Sequence, residues 1–209
     1  MSENSLAQYL ELIETRPKLF RAGNLKIISD QEKIRQFEVE AHCDMGVVYK
    51  SPYHYLVKDL VEDHHGKRFA YERIVKVAEN AVVSVPVYND QYVLINQFRH
   101  SLRNTQLAFP RGFGEIGLSA EDNVKKELGE ELRCDVLKCS YLGNVVADSG
   151  LCGDKVSVYL CNITKPQLVD TEEILAVQLH SVESMQQMIK SGQIDDSFTI
   201  SAFYLSLLS

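Results

Sequence analysis

The feature that most constrains the fold of this 209-residue chain is a glutamate-rich stretch that follows a loop of proline and glycine. Residues 126–131 read KELGEE, and the loop at residues 110–114 reads PRGFG. In a helix, Glu127 and Glu131 lie one turn apart on the same face, with Glu130 beside them. Because like charges on one stripe of a helix repel, this arrangement favours a bound counter-charge.

The same stretch carries the signals of a helix with one buried face. Ser119 precedes Asp122 at a spacing close to that of a capping box, which predicts a helix over residues 120–132. Val124, Leu128 and Leu132 recur at every fourth position and predict that the opposite face packs against a sheet.

An acidic stripe of this kind has two interpretations. Carboxylate oxygens are hard ligands, so the cluster predicts a Mg²⁺ or Mn²⁺ site rather than a zinc site. The alternative is a solvated surface helix, in which Lys126 pairs with Glu130 and nothing is bound. The preceding proline–glycine loop favours the metal site, because a surface helix does not require such a loop.

The segment from Gly112 to Arg133 resembles the signature of the Nudix hydrolases. That signature is a glycine, five residues, a glutamate, seven residues and then R-E-u-x-E-E-x-G-u, where u is apolar. The matching positions here are Gly112, Glu127, Leu128, Glu130 and Glu131. The resemblance implies an α/β (α+β) fold of the Nudix type, a mixed-sheet α/β/α sandwich, and metal-assisted hydrolysis of a phosphoanhydride bond.

Three positions depart from this signature. Leu118 stands where the first glutamate belongs, Lys126 replaces the arginine, and Arg133 replaces the last glycine. The first glutamate and the arginine commonly pair with each other, so the first two departures are one coupled change. The glutamates that bind metal in this family are retained, so the departures bear on catalytic rate more than on fold.

Beyond the signature, the chain is most similar to the ADP-ribose and ADP-sugar pyrophosphatases, from about residue 73 to the C-terminus. Residues 92–99, YVLINQFR, match a strand that ends in Gln-aromatic-Arg, and residues 192–196, GQIDD, match the entry to a C-terminal helix. This branch implies cleavage of ADP-ribose or an ADP-sugar to AMP and a sugar phosphate. Another diphosphate, such as a dinucleotide, is the alternative within the enzyme class.

The resemblance also implies roles for individual residues. The implied metal ligands are Glu115, Glu127, Glu130, Glu131 and the backbone carbonyl of Arg111. The implied substrate contacts are Arg99, Arg111 and Gly112, with surface salt bridges as the alternative for the two arginines. The implied catalytic residues are Glu127, Glu130 and Glu131 together with Asp154, which would orient the attacking water or accept its proton. A loop salt bridge with Lys155 is the alternative for Asp154.

Periodicity and turn residues predict the remaining elements. The predicted helices span residues 5–15, 30–40, 120–132, 181–191 and 197–208, and the predicted strands span residues 45–49, 53–62, 68–77, 81–88, 92–99, 141–146, 156–162 and 174–180. We expect residues 73–209 to form the Nudix domain. Residues 1–72 form a helix-plus-strand extension, for which the resemblance implies a role in a homodimer; a cap on the same chain is the alternative.

Composition is typical of a cytoplasmic enzyme. The formal net charge of -7 disfavours binding to nucleic acid, and no apolar run is long enough to span a membrane. Five cysteines without a Cys-x-x-Cys pair argue against a disulfide framework or structural zinc, which predicts a reducing compartment.

A second class of function fits the departures in the signature. Leu118 and Lys126 are compatible with a Nudix-fold binding or regulatory protein that recognises a nucleotide sugar without cleaving it. The retained glutamates favour the enzyme, whose expected ligand is a small nucleoside diphosphate derivative.

Overall fold

The computed structural model describes residues 3–169 and 173–209. The chain forms two compact units, one from Met1–Val77 with Asp148–Asp154 and the other from Ala78–Ala147 with Lys155–Ser209. Each unit has its own hydrophobic core. The predicted role of residues 1–72 in a homodimer stays a prediction.

The first unit combines two helices with a four-stranded antiparallel sheet in which β3 is central. Strands β1 and β2 pair with one part each of β3, and β4 pairs along its whole length. Its elements are α1 (Glu3–Thr15), a 3₁₀ turn (Pro17–Phe20), β1 (Lys26–Ile27), α2 (Gln31–Ala41), β2 (Gly46–Lys50), β3 (His54–Glu62) and β4 (Arg68–Lys76).

A buried polar cluster ties helix α1 to this sheet. The Tyr9 hydroxyl donates to Asp59 Oδ1 over 2.6 Å, and Arg73 Nε donates to Asp59 Oδ2 over 2.5 Å. The Arg73 guanidinium also lies 4.7 Å from the centre of the Phe20 ring. Because the Asp59 charge is both paired and hydrogen-bonded, its burial is tolerated.

The second unit is built around a seven-stranded mixed sheet. The strand order is β11-β6-β5-β10-β9, with β7 against β6 and β8 against β5, and only β5 and β10 run parallel. Its elements are β5 (Val82–Tyr88), β6 (Gln91–Arg99), β7 (Asn104–Ala108), β8 (Arg111–Gly112), α3 (Ala120–Leu132), β9 (Val136–Val145), β10 (Val156–Ile163), β11 (Ile174–His180), α4 (Val182–Ser191) and α5 (Ser197–Ser206).

Alternating side chains of this sheet supply a core on each face. In β6, Val93 and Ile95 pack in the cluster beneath α3, whereas Tyr92 and Leu94 pack in the cluster beneath α4 and α5. Strand residues alternate between the two faces with a period of two, so the part of β6 that is covered on both faces, residues 92–95, is apolar at every position. The result is a sheet between helical layers.

The predicted elements are confirmed with boundaries within two residues, except for the strand predicted at residues 141–146. That strand begins at Val136 and ends at Val145, because the residues before Tyr141 pair with β10, starting from Val136 opposite Ile163. The short strands β1, β7 and β8 were not predicted, since two to five residues carry too little alternation to identify them.

None of the helices in the described part of the chain combines the length and the apolar character that a membrane crossing needs. All five cysteines are free thiols.

Candidate active site

Helix α3 is fixed at both ends, which sets the position of its glutamates. Ser119 Oγ accepts from the Asp122 backbone N–H over 3.1 Å and donates to the Asp122 carboxylate over 2.6 Å, so the predicted N-cap is confirmed. Arg133 ends the helix in the left-handed region with φ of 47°, and its N–H donates to Gly129. This conformation explains why glycine suits that place in the signature, since side chains disfavour positive φ.

The predicted buried stripe of α3 is confirmed, since Val124, Leu128 and Leu132 are fully buried. With this face held against the sheet, the opposite side of the helix turns its carboxylates away from the core. Among them, Glu130 is the most exposed, with 61% of its side chain accessible.

The carboxylate of Glu127 lies directly against the backbone of Gly112. A β-carbon added at Gly112 would stand 2.3 Å from both Cδ and Oε1 of Glu127. A side chain at this position would displace the carboxylate, so glycine at position 112 lets the loop backbone lie against Glu127. Burial and the neighbouring Glu130 raise the pKa of Glu127.

Glu131 lies in the least hydrated position of the three glutamates. Its Oε2 is buried and has no hydrogen-bond partner among residues 3–169 and 173–209. Burial and the adjacent Glu127 raise the pKa of Glu131 to about 8, and the charges of Arg99 and Arg111 partly oppose that rise. A buried carboxylate oxygen without a hydrogen-bond partner is costly, so this position suits a cation.

Two arginines share the electrostatic surroundings of Glu131. Arg99 stands at the end of β6, and its Nε and Nη2 are buried without a hydrogen-bond partner in the described chain. Burial and the nearby Arg111 lower the pKa of Arg99. Arg111 donates from Nη1 to Asp196 Oδ1 over 3.0 Å. The structure thus brings together Glu127, Glu131, Gly112, Arg99 and Arg111, and the metal and substrate roles implied for them stay predictions.

The loop between Gly112 and α3 is held by contacts other than the usual glutamate–arginine pair. Lys126 Nζ donates to Glu115 Oε1, and lies 3.8 Å from Glu130. The backbone oxygen of Leu118 accepts from Asn80 Nδ2 over 3.0 Å. Lys126 therefore braces the loop through Glu115, and the metal role implied for Glu115 stays a prediction.

Several residues at this site were not predicted from the sequence. Asn123 is fully buried, and its Nδ2 donates to the backbone oxygens of Phe113 and Asn80. Glu173 contributes to the raised pKa of Glu131 and accepts from Gln97 Nε2 over 3.3 Å. The position of Asn123 next to the apolar stripe of α3 could have indicated that this amide is buried. Glu173 stands before a strand that is distant in sequence, and nothing in the sequence indicates its place near Glu131.

Asp154 belongs to the first unit, in the segment Asp148–Asp154. Its Oδ2 is buried and has no hydrogen-bond partner within the described ranges. Its proposed role toward the attacking water stays a prediction.

The donor set around Glu131 fits a hard divalent cation. Glu127 and Glu131 supply carboxylate oxygens whose charge is disfavoured by burial, and the loop backbone at Gly112 lies against the first of them. Within residues 3–169 and 173–209, no three acidic, histidine or cysteine side chains form a ready-made metal cage. Mg²⁺ commonly binds through one or two carboxylates and keeps water and phosphate oxygens, so two glutamates suffice.

Known proteins share this sequence pattern and this backbone. A family model described as NUDIX domain matches residues 78–200 of the chain. The ADP compounds hydrolase NudE of Escherichia coli (strain K12) is 22% identical over 147 residues, which are 69% of this chain and 79% of that protein. A crystal structure of an ADP compounds hydrolase matches with a TM-score of 0.67 at 20% identity, covering 78% of this chain and 89% of the other. The predicted α/β/α fold class is confirmed.

The raised pKa of Glu131 predicts a pH-dependent stability in metal-free protein. Between about pH 5 and pH 8 the folded chain holds a proton that the unfolded chain releases near pH 4.3, so stability should fall as pH rises. Glu131→Gln has no such proton to lose. In chelator, the variant should exceed the wild type in unfolding free energy by on the order of a few kcal/mol at pH 9 and match it near pH 5.

Urea unfolding at pH 5, 7 and 9 measures this difference. Glu121→Gln is the matched control, because Glu121 lies on the same helix with 52% of its side chain exposed. If the unfolding free energies of the wild type and Glu131→Gln change with pH in parallel, burial does not disfavour the charge of Glu131.

Proposed function

Because this chain belongs to the Nudix family and is a Nudix hydrolase, as its sequence predicts, we propose that it cleaves nucleoside diphosphates linked to a second group. The proposed substrate is ADP-ribose or an ADP-sugar, and the products are AMP and a sugar phosphate. The observation that carries this proposal is the buried Oε2 of Glu131, which has no hydrogen-bond partner in the described chain, beside Glu127 and with two arginines in the same electrostatic surroundings. The name of the Escherichia coli relative, an ADP compounds hydrolase, supports the ADP moiety.

Nudix hydrolases use divalent metal ions, and we propose Mg²⁺, with Mn²⁺ as a substitute. Glu127 and Glu131 would hold the metal, and Glu130 and the backbone carbonyl of Arg111 are the further ligands that the family resemblance implies. When bound, Mg²⁺ would neutralise diphosphate charge and lower the pKa of a coordinated water. The buried glutamates provide the negative charge that draws the cation into a position where a phosphate alone would be repelled.

The arginines supply the complementary charge for the diphosphate. Arg99 carries buried N–H groups without a protein partner among the described residues, and such groups can donate to phosphate oxygens. Arg111 is held next to it by Asp196. Gly112 keeps the loop backbone close to Glu127, so that substrate oxygens and metal ligands share one small volume.

In the proposed reaction a water oxygen attacks one phosphorus atom of the diphosphate. The bond from that phosphorus to the bridging oxygen breaks, and the bridging oxygen leaves with the second phosphate. With ADP-ribose, this yields AMP and ribose 5-phosphate. The water gives up its proton, and Asp154 is our candidate to accept it.

A binding or regulatory protein is the second candidate, and Leu118 with Lys126 is the observation in its favour. The ion pair between Lys126 and Glu115 weakens that case, because the loop keeps a charged tie to α3 despite the two substitutions. Mg²⁺-dependent assays with a panel of nucleoside diphosphate derivatives separate the two candidates. Cleavage supports the enzyme, and binding without cleavage supports the regulator.

The metal proposal makes a prediction for Glu131. Hydrolysis should require Mg²⁺ or Mn²⁺ and disappear in chelator. Glu131→Gln should slow turnover by roughly a hundredfold or more, because several kcal/mol of electrostatic transition-state stabilisation are lost. Mg²⁺ should also raise the melting temperature of the wild type at pH 8 but not that of the variant.

Glu121→Gln again serves as the control and should retain wild-type turnover and the Mg²⁺ response. Full turnover in metal-free buffer would refute the mechanism. A wild type that is stabilised by Mg²⁺ and cleaves nothing would favour the regulatory protein instead.

The Lys126–Glu115 pair predicts the effect of restoring the consensus signature. Leu118→Glu combined with Lys126→Arg should change turnover by less than about tenfold, since the loop already has an ionic tie to the helix. Steady-state kinetics on ADP-ribose measure the change. An inert wild type that becomes active only with both substitutions would contradict the proposed activity.

We also propose that the protein acts in the cytoplasm as a homodimer whose interface includes residues before 73. The five free thiols are consistent with a reducing compartment. Light scattering at assay concentration should give twice the 23.7 kDa chain mass, and a monomer would remove the dimer without affecting the chemistry. Recovery of the protein outside the cytoplasmic fraction of its cells would refute the location.

A further inference from the structure

We propose that Asp196, at the start of α5, is a positioning residue that sets the side chain of Arg111 for the diphosphate of the substrate. This inference rests on the proposed function for the identity of the ligand. The positioning itself rests on two hydrogen bonds between the start of the C-terminal helix and the segment that leads into the signature glycine, and on two more that hold Asp196 within that helix start. Neither the role of Asp196 nor its link to Arg111 follows from the signature.

The carboxylate of Asp196 is buried and fully engaged. Only 6% of the residue is exposed. Its Oδ2 accepts from the backbone N–H of Thr199 over 2.9 Å and from the Thr199 hydroxyl over 2.7 Å, which makes it the N-cap of α5. Its Oδ1 accepts from Arg111 Nη1 over 3.0 Å. One oxygen therefore caps the helix, and the other holds the arginine.

The same helix end also fixes the backbone before Arg111. The backbone N–H of Phe109 donates to Thr199 Oγ1 over 3.0 Å, and both residues are fully buried. Two residues later, the Arg111 guanidinium lies 5.3 Å from the centre of the Phe198 ring, within cation–π range. Backbone and side chain of this segment are thus both bound to the first turn of α5.

Arg111 needs a fixed partner because its charge lies near that of Arg99. The two arginine charges repel each other, as the effect of Arg111 on the pKa of Arg99 shows, and Asp196 opposes that repulsion. Without a fixed partner, a long and flexible arginine would turn toward solvent, because that separates the two charges and restores hydration. Asp196 holds the charged side chain of Arg111 in place. Both arginines are then ready to donate to the doubly charged diphosphate.

The sign of the effect on binding distinguishes positioning from simple electrostatics. Asp196 is an anion near a proposed anion site, so removing its charge should strengthen binding of a diphosphate by Coulomb's law alone. If Asp196 instead acts by orienting Arg111, removing its charge should weaken binding. The two accounts predict opposite changes in the dissociation constant.

The test is Asp196→Asn, because asparagine is as good an N-cap as aspartate and the helix should remain capped. Its amide has only one acceptor oxygen, so it cannot both cap α5 and hold Arg111. We expect the dissociation constant for ADP with Mg²⁺, measured by calorimetry, to rise about tenfold or more. On ADP-ribose, KM should rise by a similar factor, while kcat should change by less than about threefold.

Asp195→Asn is the matched control. Asp195 is the exposed neighbour of Asp196 and accepts from Gln106 Nε2 over 2.9 Å, so the same substitution there removes a charge without touching Arg111. It should change neither ADP binding nor KM by more than about twofold. Thermal melting of both variants shows whether α5 remains folded.

A mutant cycle with Arg111→Ala completes the test. If Asp196 acts through Arg111, then Asp196→Asn should add less than about twofold to the effect of Arg111→Ala. Tighter ADP binding by Asp196→Asn, or effects of the two variants that multiply, would overturn the inference while leaving the hydrolysis of ADP-ribose standing. A wild type that neither binds ADP nor cleaves ADP-ribose would overturn both this inference and the proposed function.

Discussion

The site depends on the burial of two carboxylates one helical turn apart. Glu127 and Glu131 are held there by the apolar face of α3, whose packing against the sheet leaves the helix no freedom to rotate them into water. Hydrophobic burial of three side chains therefore stabilises a position that is electrostatically unfavourable without a ligand. Such a site is prepared for a cation because Arg99 and Arg111 offset the charge of Glu131 only in part.

The loop that faces these carboxylates is fixed at several independent points. Asn123 binds the backbone oxygen of Phe113 in the loop, Lys126 binds Glu115, and the start of α5 binds the segment before Gly112. Three unrelated contacts explain how the chain can depart from its family signature at Leu118 without leaving the loop unsupported. When several weak contacts hold a loop, the loss of one contact weakens the loop's support without removing it.

The sequence predicted what depends on local periodicity. The bounds of α3, its Ser119 cap and its buried stripe follow from spacing alone, and the shared face of the glutamates follows from the helix. It did not predict contacts between distant segments, such as Arg111 with Asp196 or Phe109 with Thr199, because these depend on how the sheet brings the C-terminal helix back to the loop. For a related reason, the surface-helix interpretation paired Lys126 with Glu130. Glu130 is its neighbour on the helix, but the closer contact, Glu115, lies on a loop whose path no periodicity describes.

The core beneath α3 has a consequence for how the signature can be used. Besides the helix itself, that core contains Cys161, Ile163 and Ile174, which are synthesised only after the whole signature has been made. A chain that ended before β10 would carry every residue of the motif and the core residues of β5 and β6, but it would lack the rest of the surface against which α3 packs. The motif residues therefore do not form the site by themselves. A ribosome-bound chain completes the site only when the strands that follow the signature have emerged and paired.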